Sequence, residues 1–192
     1  MPAGTLVLLG WVGSEGWPAF VGSPEARDGE RNPLDRWSRR VIDDIATAVD
    51  ATPLYPFAGP PWLPFQRWAQ RADQMFVSPL GILIHPDWGL WHSYRGALAF
   101  REPLELEPTT ARASPCESCA ERPCLTRCPV SAFSTDGYDA AGCRTHLSSP
   151  AGSACMTGGC LARGACPIGT AHRYEPEQAA FHMRAFRGSR MV

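Results

Sequence analysis

Cysteine is the residue type whose spacing carries most of the chemistry in this chain. Cys116, Cys119, Cys124 and Cys128 fall within thirteen positions, and Cys143, Cys155, Cys160 and Cys166 follow. The first 115 residues contain no cysteine. Two of the eight precede proline, at Cys128-Pro129 and Cys166-Pro167. The bacterial iron–sulfur run is C-x2-C-x2-C-x3-C-P, and its fourth cysteine serves the other cluster in two-cluster proteins. The first group here is C-x2-C-x4-C-x3-C-P, the same pattern with two extra residues inside "AERP".

A four-iron cube needs one thiolate at each corner, and eight thiolates make two such sets. Tight turns let one segment reach three corners, so the fourth must come from elsewhere in the chain. The crossover rule then assigns Cys116, Cys119, Cys124 and Cys166 to a first cluster. Cys128, Cys143, Cys155 and Cys160 go to a second. Proline after the distant ligand fixes the backbone as it leaves the site and removes one amide donor. Two zinc sites would also use eight thiolates, although zinc gives no reason for the two Cys-Pro steps. Four disulfides would suit a small secreted domain.

Composition narrows the choice. The chain has 192 residues, 44% hydrophobic, with seven tryptophans and a net charge of −1. That is enough for one domain or two small ones with a packed core, and nothing global points to nucleic acid or an anionic membrane. All eighteen basic residues are arginine. The opening "MPAGTLVLLGWVGSEGW" lacks the positive region and cleavage pattern of a signal peptide. No window approaches the roughly 18 apolar residues that span a bilayer. A cytoplasmic location is expected, where clustered thiols favour metal or redox chemistry over disulfides.

The elements that must position these thiols are readable in outline. "TLVLLGW" (5–11) predicts a buried strand, followed by Gly10, Gly13 and Gly16 as a turn rather than a phosphate loop. Residues 32–50 predict a helix, with Asn32 as N-cap, Pro33 in the first turn, and Leu34, Trp37, Val41, Ile42, Ile45 and Val49 on its apolar face. Asp43 and Asp44 are expected on its solvated side. Residues 51–65 are proline-rich and extended, and "QRWAQRADQM" resumes a helix. Trp62, Phe65, Trp68 and Phe76 are read as core residues. "GILIH" (81–85) and "LWHSYRGALAF" (90–100) predict strands joined by a turn at Pro86-Asp87. Residues 175–187 predict a final helix, with Arg184, Arg187 and Arg190 forming a small basic tail. The five histidines show no paired metal spacing.

The expected architecture is α+β: an N-terminal α+β domain (1–110), a ferredoxin-like two-cluster [4Fe–4S] domain (111–170), and a C-terminal helix and tail (171–192).

The block resembles the cluster domain of the epoxyqueuosine reductases, cobalamin-dependent enzymes that finish queuosine in tRNA. "DAAGCRTHLSS" around Cys143 is similar to that family's "DARRCISYLT" segment. The stretch 65–100 is similar in order to the one ahead of the family's clusters. The resemblance covers about residues 53 to 168 and implies two clusters. It departs at "PFAGPPW", where Gly59 stands at the position of the family's catalytic aspartate. The N-terminal part is short for a complete corrinoid pocket. The family's tRNA-binding repeats have no counterpart in the 26 residues after Cys166, so tRNA is not an expected partner.

The leading expectation is an iron–sulfur electron-transfer protein with a redox partner protein and no membrane or nucleic-acid partner. Its general acids, bases and nucleophiles are none. One alternative is a cluster-fed reductase using a corrinoid or flavin. Another is a cluster module that senses oxygen or iron.

Overall fold

The computed structural model describes residues 4–106, 110–134 and 137–188. Helices and small sheets are mixed along the chain, as the α+β expectation requires. The chain divides into two compact units, one formed by Met1–Gln74 with His92–Ala111 and the other by Met75–Trp91 with Arg112–Val192.

The first unit is built on a three-stranded antiparallel sheet of order β1-β5-β2, from β1 (Thr5–Val12), β2 (Thr52–Leu54) and β5 (His92–Phe100). Strand β1 runs from the pair Thr5↔Phe100 to Val12↔His92, with a register shift between Leu9 and Gly10. A Cβ on Gly10 would lie 1.8 Å from the Ser93 carbonyl oxygen, so the shift brings the two backbones too close for any side chain. Gly10 is therefore part of the strand, and the turn begins after Val12.

Helix α2 (Pro33–Ala48) packs against β5. Its buried residues are Leu34, Trp37, Ser38, Ile42 and Ala46, while Ile45 and Val49 are exposed. Leu34, Ser38, Ile42 and Ala46 form a continuous i, i+4 row, so the buried stripe is narrower than hydrophobicity suggests and includes a serine. Ser38 is tolerated there because its hydroxyl donates to the Leu34 carbonyl (2.7 Å) and accepts from Arg95 Nε (3.0 Å). Arg95 also pairs with Asp35, tying the helix to β5. Ile42 and Ala46 meet Tyr55 and Leu98 in the core, with Val7, Leu9 and Phe57 around them. Trp37 packs edge-on against Trp11 (5.6 Å) and Phe20 (5.8 Å), the latter from α1 (Trp17–Val21).

Three local expectations are corrected. Asn32 sits at the cap position but in the left-handed region (φ 53°), and its side chain makes no capping hydrogen bond. Asp43 is not simply solvated: it accepts the Tyr55 hydroxyl, and burial together with this bond raises the phenol above its ordinary range. Asp44 is exposed as expected. Helix α3 (Phe65–Ala72) buries Phe65 and Ala69, but Trp62 is 62% exposed and is not a core residue.

The second unit begins with a minimal hairpin, β3 (Phe76–Val77) paired with β4 (Leu83–Ile84). The strands expected on either side of Pro86-Asp87 both form, yet β4 pairs with β3 and β5 with β1 and β2. After residue 112 come α4 (Pro123–Thr126), β6 (Phe133–Ser134), β7 (Gly137–Tyr138), α5 (Ala140–Leu147), α6 (Ser153–Gly158), α7 (Leu161–Gly164) and α8 (Pro176–Gly188). Helix α8 covers α6 and α5, and α4 packs against α7. The core is Leu80, Ile84, Leu90, Cys124, Ala162 and Cys166. No described helix is long and apolar enough to cross a membrane.

Gly96 on β5 makes room for α2, since a Cβ there would lie 2.6 Å from Ile42 Cδ1 and 3.0 Å from the Leu54 carbonyl oxygen. Gly96→Ala is therefore expected to destabilise the first unit by about 1–3 kcal/mol. Urea unfolding followed by tryptophan fluorescence measures it.

Candidate metal centre

All eight cysteines are free thiols, and all lie in the second unit. Cys124, Cys155 and Cys166 are buried and the other five are partly buried. Short elements place them. The two extra residues of "AERP" are absorbed where Arg122 turns left-handed (φ 42°) and Pro123 starts α4, with Cys124 its second residue. Cys143 lies in α5, whose N-cap Asp139 accepts from the Gly142 amide (2.8 Å). Cys155 lies in α6, and Gly159 then breaks that helix with φ 88°, so that Cys160 caps α7. Cys166 follows α7 by two residues and leads into Pro167.

The thiols gather into two groups. Cys116, Cys119, Cys124 and Cys166 line one small apolar pocket, together with Leu80, Ile84, Leu90 and Pro123. Burial pushes the Cys116 and Cys124 thiols up, and the charges of Cys166 and Cys119 push Cys116 further. Cys124 feels Cys166, Cys116 and Cys119 in the same way. Burial also raises Cys166, which feels Cys119. In the second group, burial raises Cys155 and Cys160. Cys155 then feels Cys143 and Cys128, and Cys160 feels Cys155 and Cys143. Every thiol–thiol interaction named here stays within one quartet. The groups are interleaved in sequence: Cys124 and Cys128 flank the end of α4 but fall in different quartets, and so do Cys160 and Cys166 across α7.

Backbone amides face these sulfurs. Ala132 N–H donates to Cys128 Sγ at 3.3 Å. The amide of Leu161 opposes the rise at Cys155, those of Arg163 and Ala162 at Cys160, and that of Ile168 at Cys166. Such donors stabilise negative charge on sulfur, whether thiolate or metal-bound. Positive charge helps as well, from Arg122 near Cys116 and Arg173 near Cys166.

The donor set tests what the sites could hold. Four soft thiols in apolar surroundings are poor neighbours as free thiolates, and an iron–sulfur cluster is a fitting partner because its cations remove that repulsion. A single zinc ion needs four sulfurs about 2.3 Å from one point. Among the described residues, no three Cys, His, Asp or Glu side chains converge closely enough for one ion.

The segment 85–91 does work that its sequence does not announce. A Cβ on Gly89 would lie 2.1 Å from the Ile168 carbonyl oxygen, and one on Gly169 would lie 2.2 Å from the Trp88 carbonyl carbon. Both glycines are left-handed, at φ 60° and 66°. The turn at 88–89 thus interlocks with the chain just past Cys166-Pro167 and fixes that cysteine, which lies far in sequence from Cys116. Two paired signals were present in the sequence, Trp88-Gly89 and Ile168-Gly169, but only their mutual approach gives them meaning. Arg163 adds a second tie. It donates to the Leu90 carbonyl and sits between the rings of Trp91 (4.7 Å) and Tyr174 (4.5 Å).

The remaining candidates do not join a site. His85 is 6% exposed, stacks on Trp88 at 3.9 Å, and accepts the Asp87 and Trp88 amides on Nδ1 (3.0 and 3.2 Å), a turn-capping role. Gly59 has φ 94°, with open space where a Cβ would be and no acid to offer. Arg184 and Arg187 are exposed on α8, and Arg190 lies outside the described residues.

No known family model matches the chain, and no curated protein matches it. Among solved structures it is similar to epoxyqueuosine reductase from Bacillus subtilis, at 18% identity and a TM-score of 0.48. The match covers 76% of this chain and 42% of that one, so this chain corresponds to less than half the length of the reductase.

If each quartet binds iron, Cys166→Ala is expected to deplete the site it shares with Cys116, Cys119 and Cys124 and to leave the other loaded, lowering the iron per chain by up to half. Gly89→Ala, although remote from every cysteine in sequence, should deplete the same quartet by displacing Ile168. Iron analysis with spectroscopy of the surviving site measures both. Loss confined to the quartet containing Cys143 would contradict the grouping.

Proposed function

We propose that this protein is an electron-transfer protein holding two [4Fe–4S] clusters, one on Cys116, Cys119, Cys124 and Cys166 and one on Cys128, Cys143, Cys155 and Cys160. The observation that carries the reading is the separation of the eight thiols into two interleaved groups of four. It agrees with the crossover implied by the two Cys-Pro steps, and zinc has no need of such a crossover. When bound, a [4Fe–4S] cluster cycles one electron between two oxidation states.

The rest is work for the chain's own residues. The thiolates hold each site at four separated points. Leu80, Ile84 and Leu90 exclude water from the first quartet, and buried sites of this kind have their potentials set by burial and amide donors. Packing of α4 against α7 joins the quartets, because each helix is flanked by one cysteine from either group. Were clusters bound at both sites, this packing would hold their ligands in a fixed frame, and no side chain would have to move a proton.

A second reading, a reductase fed by the clusters, is favoured by one feature. An open groove of about 720 Å³ runs beside Cys116, walled by Phe76, Pro79, Leu125 and Phe133 with Ser78 and Ser114 among its polar groups. That volume lies within the range of small-molecule sites. Against it, Gly59 supplies no acid where the resemblance places one. A redox partner protein is the expected electron donor or acceptor in either reading, and the proposed setting is the cytoplasm.

Reductive titration of anaerobically purified protein separates the two. Uptake of two electrons per chain, fully reversible and with no organic cofactor retained, is expected of the carrier. Co-purification of a flavin or corrinoid would favour the reductase. Failure to take up electrons would overturn both.

A further inference from the structure

Beside α7, the second unit contains a cavity of about 200 Å³ that electron transfer leaves unused. Of the eight cysteines only Cys160 borders it, so it is not the second quartet's own site. Two arginines line it, Arg163 from α7 and Arg173 from the segment before α8. The Arg163 guanidinium lies over the ring of Trp91 (4.7 Å) and that of Tyr174 (4.5 Å), and the two rings meet edge-on at 5.5 Å. Arg163 Nη2 donates to the Leu90 carbonyl, while its Nε is buried with no acceptor among the described residues. Arg173 donates through Nη2 to the Gly164 carbonyl (2.7 Å). Both cations are thus engaged by neutral groups, rings and carbonyls. Among the described residues, neither pairs with a carboxylate.

We propose that this cavity binds a small phosphate-bearing anion, either free phosphate or the phosphate of a small ester, with Arg163 and Arg173 as its cationic partners. The lining carries no Asp or Glu, so the positive charge is not offset within the cavity. Glu175 and Glu177 lie around the start of α8, close in sequence, but neither lines it. A guanidinium fork matches phosphate oxygens in geometry as well as in charge. Two rings and a carbonyl already fix the Arg163 guanidinium, so little side-chain freedom is left to lose on binding.

The rest of the lining suits a compact oxyanion. Gly158 and Gly164 have open space where a Cβ would be, so bare backbone forms that wall and a ligand can approach it closely. His182, 5.4 Å from Tyr174, adds a further polar group. The volume is below the roughly 300–1,000 Å³ of sites for drug-sized molecules, which favours inorganic phosphate or a three-carbon ester over a nucleotide. Binding asks nothing of the thiols, because the charge comes from guanidinium groups that stay protonated throughout the physiological range. The site therefore does not depend on what the quartets hold.

Isothermal titration calorimetry of the full chain, purified anaerobically in phosphate-free buffer, tests the site. Inorganic phosphate, glycerol 3-phosphate and acetate are the probes, at constant ionic strength. The expected result is saturable uptake of one phosphate group per chain. Arg173→Gln, at an exposed position, should weaken it roughly tenfold or more, as loss of a charge-assisted hydrogen bond does. Arg163→Gln should weaken it at least as much. Arg67→Gln makes the same change in charge on the exposed surface of the first unit and should leave binding unchanged. Uptake of phosphate alone assigns the free ion, and uptake of the ester assigns a phosphorylated small molecule. Saturable uptake of neither would overturn the proposal, as would acetate binding as tightly as phosphate. Binding untouched by Arg173→Gln, or weakened alike by Arg173→Gln and Arg67→Gln, would overturn it too. Should Arg163→Gln lose its near-ultraviolet circular dichroism, and so its fold, the comparison of Arg173→Gln with Arg67→Gln decides. Iron is counted in every preparation, so failure of the cluster reading and failure of the phosphate site are told apart.

Discussion

Four thiols crowded into an apolar pocket make a poor structure by themselves. As thiols they are weak hydrogen-bonding groups, and as thiolates they repel one another in surroundings that cannot screen them. The second unit contains one such pocket, around Cys116, Cys119, Cys124 and Cys166, and carries the other four cysteines beside it in the sequence, and most of its other features are arrangements that make these thiols tolerable or hold them in place. Amides from Ala132, Leu161, Ala162, Arg163 and Ile168 face sulfur, Arg122 and Arg173 stand near the first group, and the core consists largely of what packs against Cys124 and Cys166. Helices of four to eight residues are too short to be stable alone. Here they act as spacers between ligands, and their stability comes from packing and from whatever the thiols bind.

The same constraint explains why the unit draws on distant sequence. Cys166 must meet cysteines about forty to fifty positions earlier, and a loop of that length has an entropic cost to close. The interlock of Gly89 with Ile168 and of Gly169 with Trp88 fixes the returning strand where it leaves Cys166, and Arg163 is held between Trp91 and Tyr174 by the same segment. Residues 75–91 therefore belong physically with the cysteines. The first unit is held differently, by a conventional sheet-and-helix core in which Ser38 and Arg95 join α2 to β5.

Much of this was legible in the sequence because the relevant signals are local. Helix α2, strand β1 and the final helix each carry a period or a punctuation that their own residues decide. The expected grouping of the cysteines has a local basis of the same kind, since a turn-sized spacing and a following proline restrict which sulfurs can share a site. What escaped was non-local. Nothing in "PDWGLW" or "PIGTAH" says that two glycines meet, because the reason for each glycine is the other segment's backbone. The exposed Ile45 and Val49 depart from the expected apolar face, and Ser38 is buried, for a related reason, since the burial of a helical position depends on which strand lies opposite.

The account stands on the claim that each thiol quartet holds a four-iron cluster. Iron and acid-labile sulfide, counted per chain in anaerobically purified protein, test it most directly. Two clusters predict near eight of each. Zinc in place of iron, with no labile sulfide, would contradict it.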